Sequence, residues 1–222
     1  MFYLIKKEFL IQKKIILFSL FYVIFAGITF DAIFTGGGAI YIIAPVIITY
    51  MLMMNSGDND EKNNSEIIIN SLPIKRDDVV VAKYLSIFFF ACFGLLSSTV
   101  IGIITKILGF SLVGRLIYIN DVVAVFVIVM LFSMVYYPLN FKFGVKKMRL
   151  INIVLFMLPT FLPGIIVSMV KEHPESIIVR RIISSIGNTP SWVLQTLALV
   201  VCAILFLISL LLSMKIYRNK DL

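Results

Sequence analysis

Uninterrupted apolar runs leave this chain few ways to fold. A helix needs roughly 20 apolar residues to cross a hydrocarbon core of about 30 Å, and six stretches approach that length. They run from Ile15 to Phe34, Ala39 to Met54, Tyr84 to Gly109, Val122 to Phe141, Ile151 to Val170 and Trp192 to Met214. The second is short and relies on its flanks. Transmembrane β-strands would alternate apolar and polar residues over about ten positions, whereas VVAVFVIVMLF at 122–132 is continuously apolar. The expected fold class is an all-α membrane protein, with six transmembrane helices in a single domain over residues 1–222.

A mean hydropathy of +1.04 with 14% charged residues lies outside the soluble globular range. Orientation follows from the basic residues in the connections. With the N-terminus in the cytoplasm, the inner segments hold Lys6, Lys7, Lys13 and Lys14, then Lys62, Lys75, Arg76 and Lys83. Lys142, Lys146, Lys147 and Arg149 follow on the same side, and then Lys215, Arg218 and Lys220. Of the 20 Lys and Arg, only Lys106, Arg115, Lys171, Arg180 and Arg181 fall outside. Both termini are therefore expected in the cytoplasm. The same placement accounts for the net charge of +8: a basic inner face meets anionic membrane lipid, and no nucleic-acid partner is implied.

The first fourteen residues, MFYLIKKEFLIQKK, mix apolar side chains with lysines and one acid, Glu8. Such a segment can lie in the headgroup region as an interfacial helix; the alternative is a basic flank that only anchors the first span. The apolar run that follows exceeds a signal-peptide core and no A-x-A-like site follows it, so a retained first helix is expected. Cys92 and Cys202 fall inside spans and read as buried free thiols. Trp192, Tyr41 and Tyr118 fall near the outer boundary, and Tyr3, Tyr50, Tyr84, Tyr136, Tyr137 and Tyr217 near the inner one, as interfacial aromatic belts would.

Residues 55–84 form a polar island between the second and third spans. Asn55 to Asn64 is rich in Asn, Asp, Gly and Ser and is expected to be a flexible loop. Ser65-Glu66 opens the run Ile67-Ile68-Ile69, closed by Leu72 and Pro73, which predicts a short helix with an apolar side. Pro73 ends it, since its ring removes a donor and restricts the preceding residue. Asp77 and Asp78 suit the positive start of the next helix, and Lys83 is expected to snorkel to the headgroups. The short helix either docks its isoleucines into a groove on a soluble partner or packs them on the membrane or its own bundle.

The segment SLPIKRDDVVVAKYLS at 71–86 resembles the Ser-Leu-Pro-apolar-x-Arg stretch and following Lys-Tyr helix start of small ABC-2 type transporter permeases. The six-span layout, cytoplasmic termini, short first outer loop and longer last outer loop are also similar. The resemblance implies a bacterial plasma-membrane permease whose loop between spans two and three carries a coupling helix that docks on a separate ABC ATPase subunit. The positions it implies are Ile67, Ile68, Ile69, Ser71 and Leu72 for docking, with Pro73, Ile74 and Arg76 in the turn that leads to span three. Where the family often places a Ser or Thr cap, this chain has Lys75. It also implies an assembly of two permeases and two ATPases, the second permease being an identical copy or a paralogue. No cofactor is expected on this chain. The G-x-x-x-x-G-K-[ST] phosphate loop is absent, and Gly36-Gly37-Gly38 lacks the Lys that would reach a nucleotide, so ATP and Mg belong to the partner ATPase.

Further candidates lie within or beside the spans. Asp31, Lys106, Asn152 and Gln195 sit near helix ends, where snorkelling lowers the cost of a polar group in lipid. Asp31 is either a pathway or interface residue or an ordinary boundary residue. Pro159, Pro163 and Gly164 interrupt span five, predicting a kink or break that serves either as a hinge beside a pathway or as packing geometry. The lone His173 has no partner motif in sequence, and neither H-E-x-x-H nor a Ser-His spacing is present, so no catalytic residue or metal site is expected.

The expected function is that of a permease subunit of an ATP-binding cassette exporter, not an enzyme in its own right. Small permeases that this chain resembles include subunits of exporters for phenol-soluble modulins and other membrane-active peptides, and a pathway lined by Ile, Leu, Phe and Met suits amphipathic peptide cargo. Export of another hydrophobic or lipid-like substrate or drug is the nearest alternative. A secondary transporter would need midplane ions and broken helices in matching halves; a sensor or immunity subunit would keep the bundle without a path.

Overall fold

The computed structural model describes residues 2–33, 40–63, 65, 68, 71, 75–107, 115, 117–172 and 190–220. Among the described residues the chain is all helix, without strands. The elements are α1 (Phe2–Leu10), α2 (Lys13–Ile33), α3 (Ile40–Lys62), α4 (Arg76–Ile107), α5 (Ile119–Glu172) and α6 (Ser191–Arg218). Four stretches among the described residues are long and apolar enough to cross a membrane: Ile40–Lys62, Arg76–Ile104, Ile119–Val145 and Trp192–Arg218. A shorter apolar helix covers Ile15–Phe25. The chain is a multi-pass membrane protein.

Two boundaries differ from the sequence expectation. The Asn-rich stretch expected as a flexible loop is helical, because α3 continues to Lys62. Its inward face buries Ser56, Gly57 and Asp60, and burying those polar groups is tolerable only because they find partners there. At the far side of the island, α4 starts at Arg76, which agrees with the expected place of Asp77 and Asp78 at a helix start. The carbonyl of Lys75 accepts the Asp78 N–H at 3.0 Å, and Asp77 and Asp78 occupy the first turn, where acids favour the positive helix end. The second difference lies between the fourth and fifth expected spans, two helices within α5 that meet directly at Gly144 (φ 74, ψ 163). That backbone geometry is essentially restricted to glycine, so one residue makes the turn that the basic segment KFGVKK was expected to make as a loop. The backbone stays helical through Pro159, Pro163 and Gly164.

An aromatic core joins α4, α5 and α6. The Tyr84 ring lies tilted against Tyr137 at 4.8 Å and edge-on to Phe206 at 5.1 Å, and Phe141 meets Tyr217 at 5.2 Å. Tyr50, Tyr84, Tyr136, Tyr137 and Tyr217, expected in an interfacial belt, are instead buried in the bundle, as is Tyr41. Their rings supply packing area while each hydroxyl needs a partner. Tyr84 Oη meets Ser209 and Ser213 of α6 at 2.9 and 2.7 Å, and Tyr137 Oη donates to the Lys83 carbonyl at 3.1 Å. Tyr3, Tyr118 and Trp192 do face outward.

Two prolines inside helices explain specific contacts. Pro138 has no N–H to give the Met134 carbonyl four residues back, and Ser209 Oγ of α6 donates to that carbonyl instead, at 2.7 Å. Pro45 of α3 faces Gly94 of α4, where a Cβ would come within 3.0 Å of the Pro45 backbone. The missing side chain is what lets the two helices approach there.

Candidate functional site

Among the described residues, the largest concentration of buried charge lies where α1, the end of α3 and the start of α4 meet. Ser56 and Asp60 are four apart on α3 and share one face. Lys83 projects from the second turn of α4, and α1 contributes Lys7 and Glu8. Lys7 Nζ donates to Asp60 Oδ1 at 2.7 Å, and Lys83 Nζ donates to Asp60 Oδ2. Glu8 Oε1 lies 3.8 Å from Lys83 Nζ and 3.9 Å from Lys7 Nζ, while Ser56 Oγ donates to Glu8 Oε2. Glu8, Asp60 and Lys83 are buried and Lys7 is half-buried.

Two ammonium groups thus face two carboxylates, and the cluster is neutral as a whole. Burying the charges is costly on its own, and mutual attraction with hydrogen bonding offsets that cost only while all members are present. The arrangement is therefore a clamp between three elements. Phe9 of α1 adds an apolar contact beside it, 5.7 and 5.9 Å from the rings of Phe90 and Phe93. The expectation that Lys83 snorkels to headgroups is corrected: the carboxylates of Asp60 and Glu8 draw it into the bundle.

A second junction ties the first turn of α4 to the end of α6. Arg76 Nη1 donates to the carbonyls of Arg218 and Lys220 at 2.9 and 3.1 Å. Arg218 Nε donates to Asp77 Oδ1 at 2.7 Å, with a second bond from its Nη2 to Asp77 Oδ2. The guanidinium of Arg76 sits where the last carbonyls of α6 lack helical partners. Both junctions flank residues 63–75, so the two ends of that segment are held by α1 on one side and α6 on the other.

At the opposite end of the bundle, Arg115 pairs with both oxygens of Asp121, at 2.6 and 2.7 Å. The Tyr118 N–H donates to Asp121 Oδ2 at 2.9 Å, and Arg115 lies 4.8 Å from the Tyr118 ring centroid. Hydrogen bonding to Asp121 raises the Arg115 guanidinium above its ordinary value. This fork fixes the start of α5 and has no groups suited to bond chemistry.

The candidates read from sequence fare differently. Ile68 is exposed, the Ser71 hydroxyl donates to its carbonyl at 2.7 Å, and the backbone at Ser65, Ile68 and Ser71 is helical. Ile67, Ile69, Leu72, Pro73 and Ile74 lie outside the described residues. Arg76 is part of the α4–α6 junction, a role that its place in a docking turn did not convey. Asp31, Pro159, Pro163 and Gly164 are on helical backbone, and their side chains lie outside the described set. Lys106 is exposed, whereas Asn152 is buried beside Tyr50, whose hydroxyl donates to the Asn152 carbonyl. Among the described residues no group of three His, Cys, Asp or Glu side chains is placed to hold a metal.

The clamp was missed from sequence, although signals were present. Glu8 is the one acid in a basic N-terminal stretch, Ser56 and Asp60 have helical spacing, and Lys83 interrupts the apolar run VVVAKYL.

The family model described as ABC-2 family transporter protein matches residues 3–218. The chain belongs to the ABC-2 transporter family. No match was found among curated proteins or among solved structures. As an ABC-2 permease the chain is a membrane transport component, of a family that works with ABC ATPase subunits. That membership gives the two junctions around residues 63–75 a mechanical context.

Proposed function

We propose that this ABC-2 permease is the transmembrane subunit of an exporter for amphipathic, membrane-active peptides, driven by a separate ATPase that holds ATP and Mg. In this reading the chain crosses a bacterial plasma membrane six times, with α1 at the cytoplasmic surface and both termini inside. Residues 67–72 form the coupling helix, and a second permease, identical or paralogous, completes the pathway. The pathway opens to alternate sides as the ATPases close and separate.

One observation carries the reading. The buried cluster of Lys7, Glu8, Asp60 and Lys83 fastens both helices that flank residues 63–75 to α1, so a push on that segment is transmitted to α3 and α4 together. A linker without a mechanical role would not need buried charges on both flanks. The outward surface of α6, apolar at Ile204, Ile208 and Leu211, suits a bundle bathed in lipid or in apolar cargo.

The docking step is tested by co-purification in mild detergent. A stoichiometric ATPase should accompany the native chain and be lost from Ile68→Asp/Leu72→Asp. Unchanged association in that variant would remove the docking role from this segment. The cargo is tested separately: ATPase activity of the complex in lipid should rise with amphipathic helical peptides, and a flat response across a peptide panel would exclude them.

A further inference from the structure

The helix α1 is held on the bundle mainly through charge. Of its described side chains only Glu8 is buried, and no apolar one is; Lys6 and Leu10 are exposed. Phe9 is half-buried at its contacts with Phe90 and Phe93. The charges that do the holding divide into two neutral halves. Lys7 and Glu8 come from α1 and lie 3.9 Å apart, whereas Asp60 of α3 and Lys83 of α4 pair with each other. Pulling α3 or α4 out of the cluster would strand a buried charge, which is the costly way to break such a site. Lifting α1 away strands none, because an ammonium and a carboxylate leave together and Asp60 keeps Lys83. The cluster therefore parts most readily along one line, between α1 and the rest.

A second observation lies at the joint. α1 ends at Leu10 and α2 begins at Lys13, with Ile11 and Gln12 between them. The Gln12 N–H donates to the Phe9 carbonyl at 3.2 Å, and the Gln12 carbonyl accepts the N–H groups of Ile15 and Ile16 at 3.0 Å, so α2 has a start of its own. The Gln12 side chain is 1% exposed, yet neither its Oε1 nor its Nε2 has a hydrogen-bond partner. An amide buried with both ends unpaired disfavours the arrangement that buries it. Turning α1 about this joint would bring that amide to water or headgroups.

We infer that α1 is a latch with two positions. Docked, it sets Lys7 and Glu8 against Asp60, Ser56 and Lys83. Undocked, it swings about Ile11 and Gln12 onto the membrane surface, where its lysines and Leu10 suit the headgroup region. Only the docked position adds α1 to the link between the helices that flank residues 63–75. The inference concerns the chain alone and stands apart from the cargo and the ATPase.

Electron–electron distance measurement in lipid nanodiscs tests it, with spin labels at Lys6→Cys and Lys215→Cys, both exposed positions, in a Cys92→Ser/Cys202→Ser background. The native chain should give two distances. Lys7→Ala/Glu8→Ala removes α1's neutral pair and should shift the population to the undocked distance, with the thermal unfolding of the bundle little changed. Gln12→Met removes the unpaired amide at similar volume. It should raise the docked-to-undocked ratio by roughly 5- to 150-fold, in the native and in the Lys7→Ala/Glu8→Ala background alike. One distance, unchanged in all of these variants, would overturn the inference and make α1 a fixed part of the bundle. So would unfolding of Lys7→Ala/Glu8→Ala at a midpoint as low as that of Lys83→Met, since α1 would then be required for the bundle itself.

Discussion

At the residue scale, the clamp makes unequal demands on its members. Removing Lys83 leaves Asp60 and Glu8 facing a single ammonium, and removing one partner of a buried pair typically costs 3–5 kcal/mol. Lys83→Met should therefore lower the midpoint of thermal unfolding in detergent sharply, as should Asp60→Asn. Asp60→Asn/Lys83→Met removes one charge of each sign and leaves Lys7 with Glu8, so it should recover most of the loss. Thermal unfolding followed by size-exclusion chromatography checks all three, and a double variant as unstable as the sum of the singles would mean that the charges act independently. The sequence announced each of these residues as an oddity, an acid among lysines or a lysine among valines. It did not say that they meet, because the partners lie far apart in the chain, 23 positions for Asp60 and Lys83 and 53 for Lys7 and Asp60. The buried tyrosines were misplaced for a related reason. An amphipathic ring at the end of an apolar run suits a lipid interface and a protein interior equally, and only the serines of α6 decide for the interior at Tyr84.

At the scale of elements, apolar runs were enough to find the helices and too weak to end them. Hydropathy falls at Asn55 and rises again near Val79, yet α3 and α4 extend into that polar stretch, because its buried side chains have partners on other helices. The one backbone irregularity inside α5 is at Gly144, where no heavy atom lies within 4 Å of a would-be Cβ. Gly144→Ala should still destabilise by about 1–3 kcal/mol through backbone geometry alone, and thermal unfolding without loss of any contact would show that. The α5–α6 contact offers a paired test. Ser209→Ala strands the Met134 carbonyl at a cost of about 1–3 kcal/mol. Pro138→Ala restores an N–H that can reach that carbonyl, so Ser209→Ala should cost less in a Pro138→Ala background. Equal cost in both backgrounds would show that Ser209 matters only through Tyr84.

At the scale of the whole molecule, the family assignment and the helical fold describe a membrane transport subunit, and the two junctions bracket the segment on which the proposed ATPase would act. The segment at 63–75 is held through α1 at one flank and α6 at the other, and α6 in turn packs along α5. A displacement of that segment is therefore shared by much of the bundle. The family was legible in SLPIKR, whereas the contacts that hold the flanks of that motif required the fold, since they join distant parts of the chain. The most direct test of this account is peptide export by Asp60→Asn/Lys83→Met, assembled with its ATPase in proteoliposomes. The ATPase should stay bound and hydrolyse ATP at its basal rate, while peptide export per ATP should fall roughly 5- to 150-fold, the range of typical coupling energies. Export at the native ratio in a folded, ATPase-bound double variant would contradict the claim that the buried charge cluster transmits the stroke.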